Sequence, residues 1–329
     1  MEDSRPARQA TADAAPALRA IAAEPPWGRA ASAGDAHLAE VGTKFQHVLA
    51  AIDGSPASFR AAALGAQIAT ASGGSIELLS VVQRADLTGR LGFGAEGEDA
   101  QRLRAEADVR SAAAAIAPAP IRAMTVAEGP IVETILERCA CGDDERLICM
   151  GSGRHRFRLG SVSGEVLRRA ECPVLVVREG TSRGPRVERI LVGFDATPGA
   201  WAAVDAAAEL SRDCDAAVYL VEVLRPGFPL PPQGLPLAVG EMQELAGAPE
   251  RREIHDAAER IEAAGGRVAQ ALFELGKPPE RLLAQAEAAD VDLIVVGARG
   301  EHSPGMRRLL GGTSDHLVAR SQRPVLVLK

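Results

Sequence analysis

At 329 residues, with 47% hydrophobic and 25% charged side chains, the chain is long enough for two ordinary cores of about 140 residues each. A net charge of −7 and only 3% aromatics give neither a phosphate-neutralising face nor a base-stacking platform, so nucleic acid is not an expected partner. No apolar run approaches the roughly 20 residues of a bilayer crossing, and Met1-Glu-Asp-Ser-Arg-Pro6 lacks the apolar core of a signal peptide, so no membrane contact and a cytoplasmic location are expected.

Residues 1–43 are rich in Ala, Pro, Arg and Asp, carry the breaker Pro25-Pro26 and show no sustained periodicity, which predicts a disordered arm. Val48–Ile52 is a short apolar run that suits a strand buried on both faces. Asp53-Gly-Ser-Pro56 supplies turn and N-cap chemistry for a helix over Ala57–Ala71, which Gly73-Gly74 ends. A strand over Ile76–Val82, a helix over Asp99–Ile116, a strand over Ile121–Val126, a helix over Ile131–Cys141 and a strand over Arg146–Met150 follow. A helix after Gly160 and a strand over Val174–Val177 close the series. The order then repeats, with strands at Ile190–Phe194, Ala217–Val223, Val268–Phe273, Leu293–Val296 and Val325–Leu328, and a helix near Glu250–Ala264. Alternating strands and crossover helices predict an α/β fold: two tandem Rossmann-like domains, each an open parallel five-stranded sheet with helices on both faces.

The repetition is visible residue by residue. His47-Val-Leu-Ala-Ala-Ile-Asp-Gly54 matches Arg189-Ile-Leu-Val-Gly-Phe-Asp-Ala196, and Gly160-Ser-Val-Ser163 to Val174-Leu-Val-Val177 matches Gly311-Gly-Thr-Ser314 to Val325-Leu-Val-Leu328 without a gap. A unit this long is a duplicated domain and not a solenoid repeat. The copies differ in loop length, mainly after Gly151 and Gly297, and function is expected there. The polar, breaker-rich Thr181-Ser-Arg-Gly-Pro185 is a short joint, so the copies are expected to pack together. Val174–Val177 and Val325–Leu328 are apolar edge strands, which predicts that each copy covers the other's edge as an intramolecular pseudo-dimer, with a homodimer of the whole chain also open.

In open α/β sheets ligands bind outside the carboxyl ends of the strands, where glycine turns and helix N-termini admit phosphate. The second copy offers Gly297-Ala-Arg-Gly300 followed by Gly311-Gly-Thr-Ser314; the first offers Gly151-Ser-Gly-Arg154 followed by Gly160-Ser-Val-Ser163. No Gly-Lys-Ser/Thr follows, which excludes a P-loop, and the position after the fourth strand excludes the first-turn dinucleotide fingerprint. On these residues, taken in order with the strand ending in Asp and the closing Pro-Val-Leu-Val, the chain resembles the universal stress protein family, in its tandem two-domain form. The resemblance divides the chain into the arm (1–43), a first domain (44–178), a linker (179–187) and a second domain (188–329).

The resemblance implies a nucleotide-binding regulator of the stress response, with ATP as the cofactor and Mg an optional companion, bound mainly through the second domain. Carried over by position, Asp195 would face the adenine or ribose, with Val223 lining the base pocket, and the phosphates would lie against Gly297, Gly300, Gly311 and Gly312; Gly193, Val296, Thr313 and Ser314 complete the cofactor-binding set. The weaker first site would comprise Ala51, Asp53, Val81, Gly151, Gly160, Ser161, Val162 and Ser163. Both copies depart from the family pattern. The first has Arg154 where the second glycine belongs and a shorter interval from Gly151 to Gly160; the second has one residue too many before Gly311 and Gly312 in place of the hydroxyl residue, which a slip of one position would give to Thr313. One nucleotide per chain is therefore expected.

The remaining candidates are weaker. Cys139, Cys141, Cys149, Cys172 and Cys214 show no disulfide-framework spacing. Cys139-Ala-Cys141 suggests a metal or redox pair but has no second pair at ligand spacing, so packing thiols and no metal site are expected. His155 near Ser161 and Ser163 lacks a nucleophile elbow. Arg154, Arg156 and Arg158 suit either a solvated face or phosphate ligands. The segment Arg225–Pro236 reads as a stiff surface loop or a proline-rich ligand. No acid–base pair stands out, so no catalytic residue is assigned; slow ATP hydrolysis stays open, as does the alternative of a scaffold with degenerate sites.

Overall fold

The computed structural model describes residues 45–83, 98–140, 146–153, 161–181, 184–224, 248–298 and 312–329. The expected arm, the loop segments 154–160 and 299–311 and the proline-rich segment 225–236 lie outside the described residues. In the first half β1 (His47–Ala51), α1 (Pro56–Ala71), β2 (Ser75–Val82), α2 (Glu98–Ala115), β3 (Ile121–Glu128), α3 (Ile131–Ala140), β4 (Arg146–Ser152), α4 (Ser161–Arg169) and β5 (Val174–Arg178) alternate. The second half repeats them as β6 (Arg189–Phe194), α5 (Pro198–Cys214), β7 (Ala217–Leu224), α6 (Ala248–Ala263), β8 (Arg267–Leu275), α7 (Pro278–Ala288), β9 (Leu293–Gly297), α8 (Gly312–Arg320) and β10 (Val325–Leu328).

Within each half the five strands are parallel, in the order β3-β2-β1-β4-β5 and its counterpart β8-β7-β6-β9-β10. Alternate residues of a strand point to opposite faces, and this alternation divides the core in two. Val48, Ala50, Leu78, Leu147, Cys149 and their second-half equivalents pack under α1, α2, α5 and α6. Leu49, Leu79, Ile148, Met150 and Val174 pack under α3, α4, α7 and α8 with the matching residues of the other half. Burial on both faces is why the central strands read as unbroken apolar runs rather than as alternating ones.

The halves meet edge to edge. β5 and β10 pair antiparallel, with Val176 opposite Val325, Leu175 opposite Leu326 and Val174 opposite Val327, and all six side chains are at most 1% exposed. Each copy therefore caps the other's apolar edge, and the two sheets become one of ten strands. The intramolecular pseudo-dimer expected from the edge strands is present in this form.

The elements exceed their sequence-based bounds chiefly at the sheet margins. β3 runs two residues past Val126 and β8 two past Phe273, where the outermost strands continue to pair with β2 and β7 although Glu128 and Leu275 at their ends are exposed; the central β4 likewise runs two past Met150. No helix among the described residues is long and apolar enough to cross a membrane.

Candidate functional site

Both halves begin their site with the same local device. In the first, the Asp53 carboxylate accepts from the Ser55 hydroxyl at 2.6 Å and from the Ser55 backbone N–H at 3.0 Å. The Ser55 hydroxyl oxygen in turn accepts from the Ser58 N–H at 3.2 Å, capping α1. In the second, Asp195 accepts from the Thr197 hydroxyl at 2.6 Å, and Thr197 caps α5 through the Ala200 N–H at 3.3 Å. Pro at the first helical position needs no donor partner there, which leaves the cap to serve later N–H groups. The aspartates are thus oriented by the hydroxyls they hold, and both remain exposed at the carboxyl end of the sheet.

The ends of the fourth strands lie against the first turns of the first helices. A Cβ on Gly151 would stand 2.5 Å from the Ser58 backbone nitrogen, and one on Gly297 would stand 2.5 Å from the Gly199 carbonyl carbon. Backbone cannot give way as a flexible side chain can, so only glycine permits the strand to pass this close to the helix. The helix after each loop is then tied back to the strand before it. Ser314 donates its hydroxyl to the Gly297 carbonyl at 2.6 Å, and Ser163 donates to the Ser152 hydroxyl at 3.3 Å. Both serines are buried.

In the first half these pieces enclose a cleft of about 500 Å³ at the carboxyl ends of β1, β2 and β4. Of the residues assigned from the sequence, it brings together Ala51, Asp53, Val81, Gly151, Val162 and Ser163. Ser161 starts α4; Gly160 lies outside the described residues, as do Arg154, His155, Arg156 and Arg158. The cleft also takes Gln101, Arg104 and Asp108 from α2, and Ile131 and Ile135 from α3. Gln101, Arg104 and Asp108 escaped the sequence reading. Their spacing of three and four residues would place them on one helix face, but nothing local says that this face looks into the cleft. Val109 and Ala112 of α2 are buried in the core beside β2, which places the helix over the cleft mouth, and Gly54, with φ +77°, lies against the Asp108 carboxylate there.

In the second half Gly193 lies in β6, Val223 in β7, and Val296 and Gly297 in β9, on strands hydrogen-bonded in the same order as their first-half equivalents. Gly312 and Thr313 open α8 beside Ser314; Gly300 and Gly311 lie outside the described residues. This half adds a feature of its own. Trp201 on α5 packs edge-on against Phe194, with centroids 5.1 Å apart and planes at 87°. The Arg260 guanidinium sits 5.8 Å above the indole while paired with Asp205, an arrangement that joins a cation–π contact to an ion pair. Among the described residues no group of three or more His, Cys, Asp or Glu side chains is placed to hold a metal ion.

A duplicated, doubly wound α/β chain with a cleft where the first half's strands end and its helices begin has the architecture in which ligands bind outside the carboxyl ends of the strands. The sequence profile of the universal stress protein family matches residues 44–178 and again 186–329; the chain belongs to this family and carries its domain twice. A universal stress protein of Methanocaldococcus jannaschii, MJ0531, is 27% identical over 145 residues, which are 43% of this chain and 82% of that one. The crystal structure of a universal stress protein from Archaeoglobus fulgidus superposes with a TM-score of 0.65 at 25% identity, covering 87% of this chain and 99% of the other. That of a functionally unknown protein from Pseudomonas aeruginosa, PA1789, superposes with a TM-score of 0.56 at 19% identity over 87% and 93% of the two chains, a likeness of fold.

Proposed function

We propose that this protein binds an adenine nucleotide, ATP above all, at the carboxyl edge of its sheet, and that it acts as a stress-response regulator rather than as a metabolic enzyme. The observation that carries this reading is the first-half cleft, which gathers Asp53, Val81 and Gly151 around one space. Its volume of about 500 Å³ falls within the roughly 300–1,000 Å³ usual for small-molecule sites. An apolar wall of Val81, Ile131 and Ile135 suits the base, and Asp53 suits ribose hydroxyls as an acceptor. The first turn of α4 suits phosphate, since helix N-termini present unpaired N–H donors.

The second half carries the same Asp, the same strand ends and the fuller glycine series, Gly297 and Gly300 followed by Gly311 and Gly312. The proposal therefore assigns the tighter nucleotide site to Gly193, Asp195, Val223, Val296, Gly297, Gly300, Gly311, Gly312, Thr313 and Ser314, and the weaker one to the first cleft. Titration calorimetry with ATP tests it, together with mass spectrometry of whatever nucleotide the purified protein retains. The expected result is a stoichiometry near one, with the tight binding weakened about tenfold in Asp195→Asn and unchanged in Asp53→Asn. A protein that takes up no adenine nucleotide at millimolar concentration would overturn the reading.

A further inference from the structure

The first half contains a pair of thiols that nucleotide binding does not use. Cys139 is in the last turn of α3, and Cys172 lies 33 residues on, in the turn between α4 and β5; their sulfurs are 2.7 Å apart. That is inside van der Waals contact for two sulfur atoms and beyond the about 2.04 Å of a covalent S–S bond. The two Cys side chains already point at each other from separate elements, so joining them needs only a small approach. Cys139 is buried and Cys172 half-buried, so the pair meets solvent through Cys172.

The surroundings differ from those of the other described cysteines. Arg146 donates to the Arg138 carbonyl at the end of α3 and brings its charge to Cys139; the Cys172 thiol is pushed up, first by its hydrogen bond to Cys139 and then by burial, so it is the partner that keeps its proton. The Cys172 thiol donating to its neighbour, with Arg146 adding to the effect, holds the Cys139 thiol below its usual value. Cys149, by contrast, is fully buried in β4 and burial pushes its thiol up; the Cys214 thiol is pushed up to about 11 by burial and by Asp213. Thiolate character and a nearby resolving sulfur decide which cysteines oxidise to disulfides; among these four only the Cys139 thiol is lowered, and only Cys139 and Cys172 have a second sulfur in contact.

The geometry points to a reversible dithiol–disulfide site at Cys139 and Cys172, oxidised by hydroperoxides. In the first step the Cys139 thiolate attacks one peroxide oxygen. An S–O bond forms, the O–O bond breaks, and the departing oxide takes up the proton that Cys139 released, which leaves a sulfenic acid. In the second step the Cys172 sulfur attacks the Cys139 sulfur. The S–S bond forms, the S–O bond breaks, and hydroxide leaves with the Cys172 proton as water. Two thiols are oxidised by two electrons and one hydroperoxide is reduced by two; a small dithiol reverses the reaction by exchange.

The site belongs to the first half alone, since the matching positions in the second are Ala286 and Arg323, and Arg323 pairs there with Asp290 at 3.0 Å. Its placement bears on the cleft. Ile131 and Ile135 of α3, and Val162 and Ser163 of α4, line the cleft, while the thiols sit at the far ends of the same two helices. A disulfide would therefore fasten together the helices that form one wall of the cleft.

The test is treatment of the full-length, fully reduced protein with one equivalent of hydrogen peroxide, followed by blocking of free thiols and peptide mapping without reductant. The expected product is a Cys139–Cys172 cross-link, lost on addition of dithiothreitol, with Cys149 still blocked as a free thiol. In Cys172→Ser the reaction is expected to stop at a Cys139 sulfenic acid that dimedone captures. A map in which Cys139 and Cys172 stay alkylatable, or in which Cys139 joins Cys141 instead, would overturn the proposal, and that result on the unmutated chain stands whether or not the variant folds.

Discussion

The two halves share a fold but not a surface chemistry. Each caps its first helix with a hydroxyl held by an aspartate, Ser55 by Asp53 and Thr197 by Asp195. Each brings a glycine at the end of the fourth strand against that helix, and each gives one apolar edge to the seam. They part company around these shared elements. The first lays Gln101, Arg104 and Asp108 of α2 along its cleft and sets two thiols in contact behind it. The second fixes α6 to α5 through Trp201, Arg260 and Asp205. What positions the backbone has been kept twice, and what meets a ligand or a reagent has diverged.

The seam offers the largest test of this division, because there the halves are expected to be equivalent. Val176 and Val325 face each other and are each 1% exposed. Val176→Asp and Val325→Asp should each cost about 4 kcal/mol, the scale of an unpaired charge placed in a core. Urea denaturation checks this, and unequal losses would show that the halves do not share the seam evenly. Next come the glycines. Gly151→Val and Gly297→Val force a side chain against backbone at 2.5 Å and should each cost about 2–3 kcal/mol by overpacking. Gly297→Val should also abolish tight nucleotide binding while Gly151→Val leaves it in place, which calorimetry on the two variants resolves.

The aspartates sharpen the comparison at smaller scale. Asn retains an oxygen that can accept from Ser55 or Thr197 but carries no charge. Asp195→Asn and Asp53→Asn should therefore leave the melting temperature nearly unchanged and weaken nucleotide binding at the altered site by about tenfold, or about 1.4 kcal/mol. Smallest are the caps themselves. Ser55→Ala and Thr197→Ala should each lower stability by about 1 kcal/mol, measured by thermal unfolding. A cap loss confined to one half would indicate that the Asp–hydroxyl device matters in only one copy.

The fold was readable because its strands are buried on both faces. Val48–Ile52, Arg146–Met150 and Leu293–Val296 are short apolar runs with turn chemistry at their ends, and such runs admit few other structures. The paired edges were readable for the same reason, since Val174–Val177 and Val325–Leu328 are too apolar to face water. The assigned first-site residues that meet in the cleft were legible as a repeated order along the chain. The contribution of α2 was not, because which helix face looks into the cleft is set by tertiary packing, here by the burial of Val109 and Ala112 in the core. The thiol pair was missed for a related reason. Sequence spacing drew attention to Cys139 and Cys141, whereas the partner that the fold brings to Cys139 is Cys172, from beyond an intervening strand and helix.

The joining of β5 to β10 within one polypeptide has a further consequence. Two separate subunits that met along such an edge would part on dilution, and a change in one cleft would appear in both. Here each edge finds its partner at an effective concentration in the millimolar range that does not depend on how much protein is present. The pairing survives at any abundance of the protein, and a substitution in one half is not copied into the other. A single chain thus holds two unlike halves in a fixed ratio of one to one, an asymmetry that no assembly of identical chains with twofold symmetry can offer.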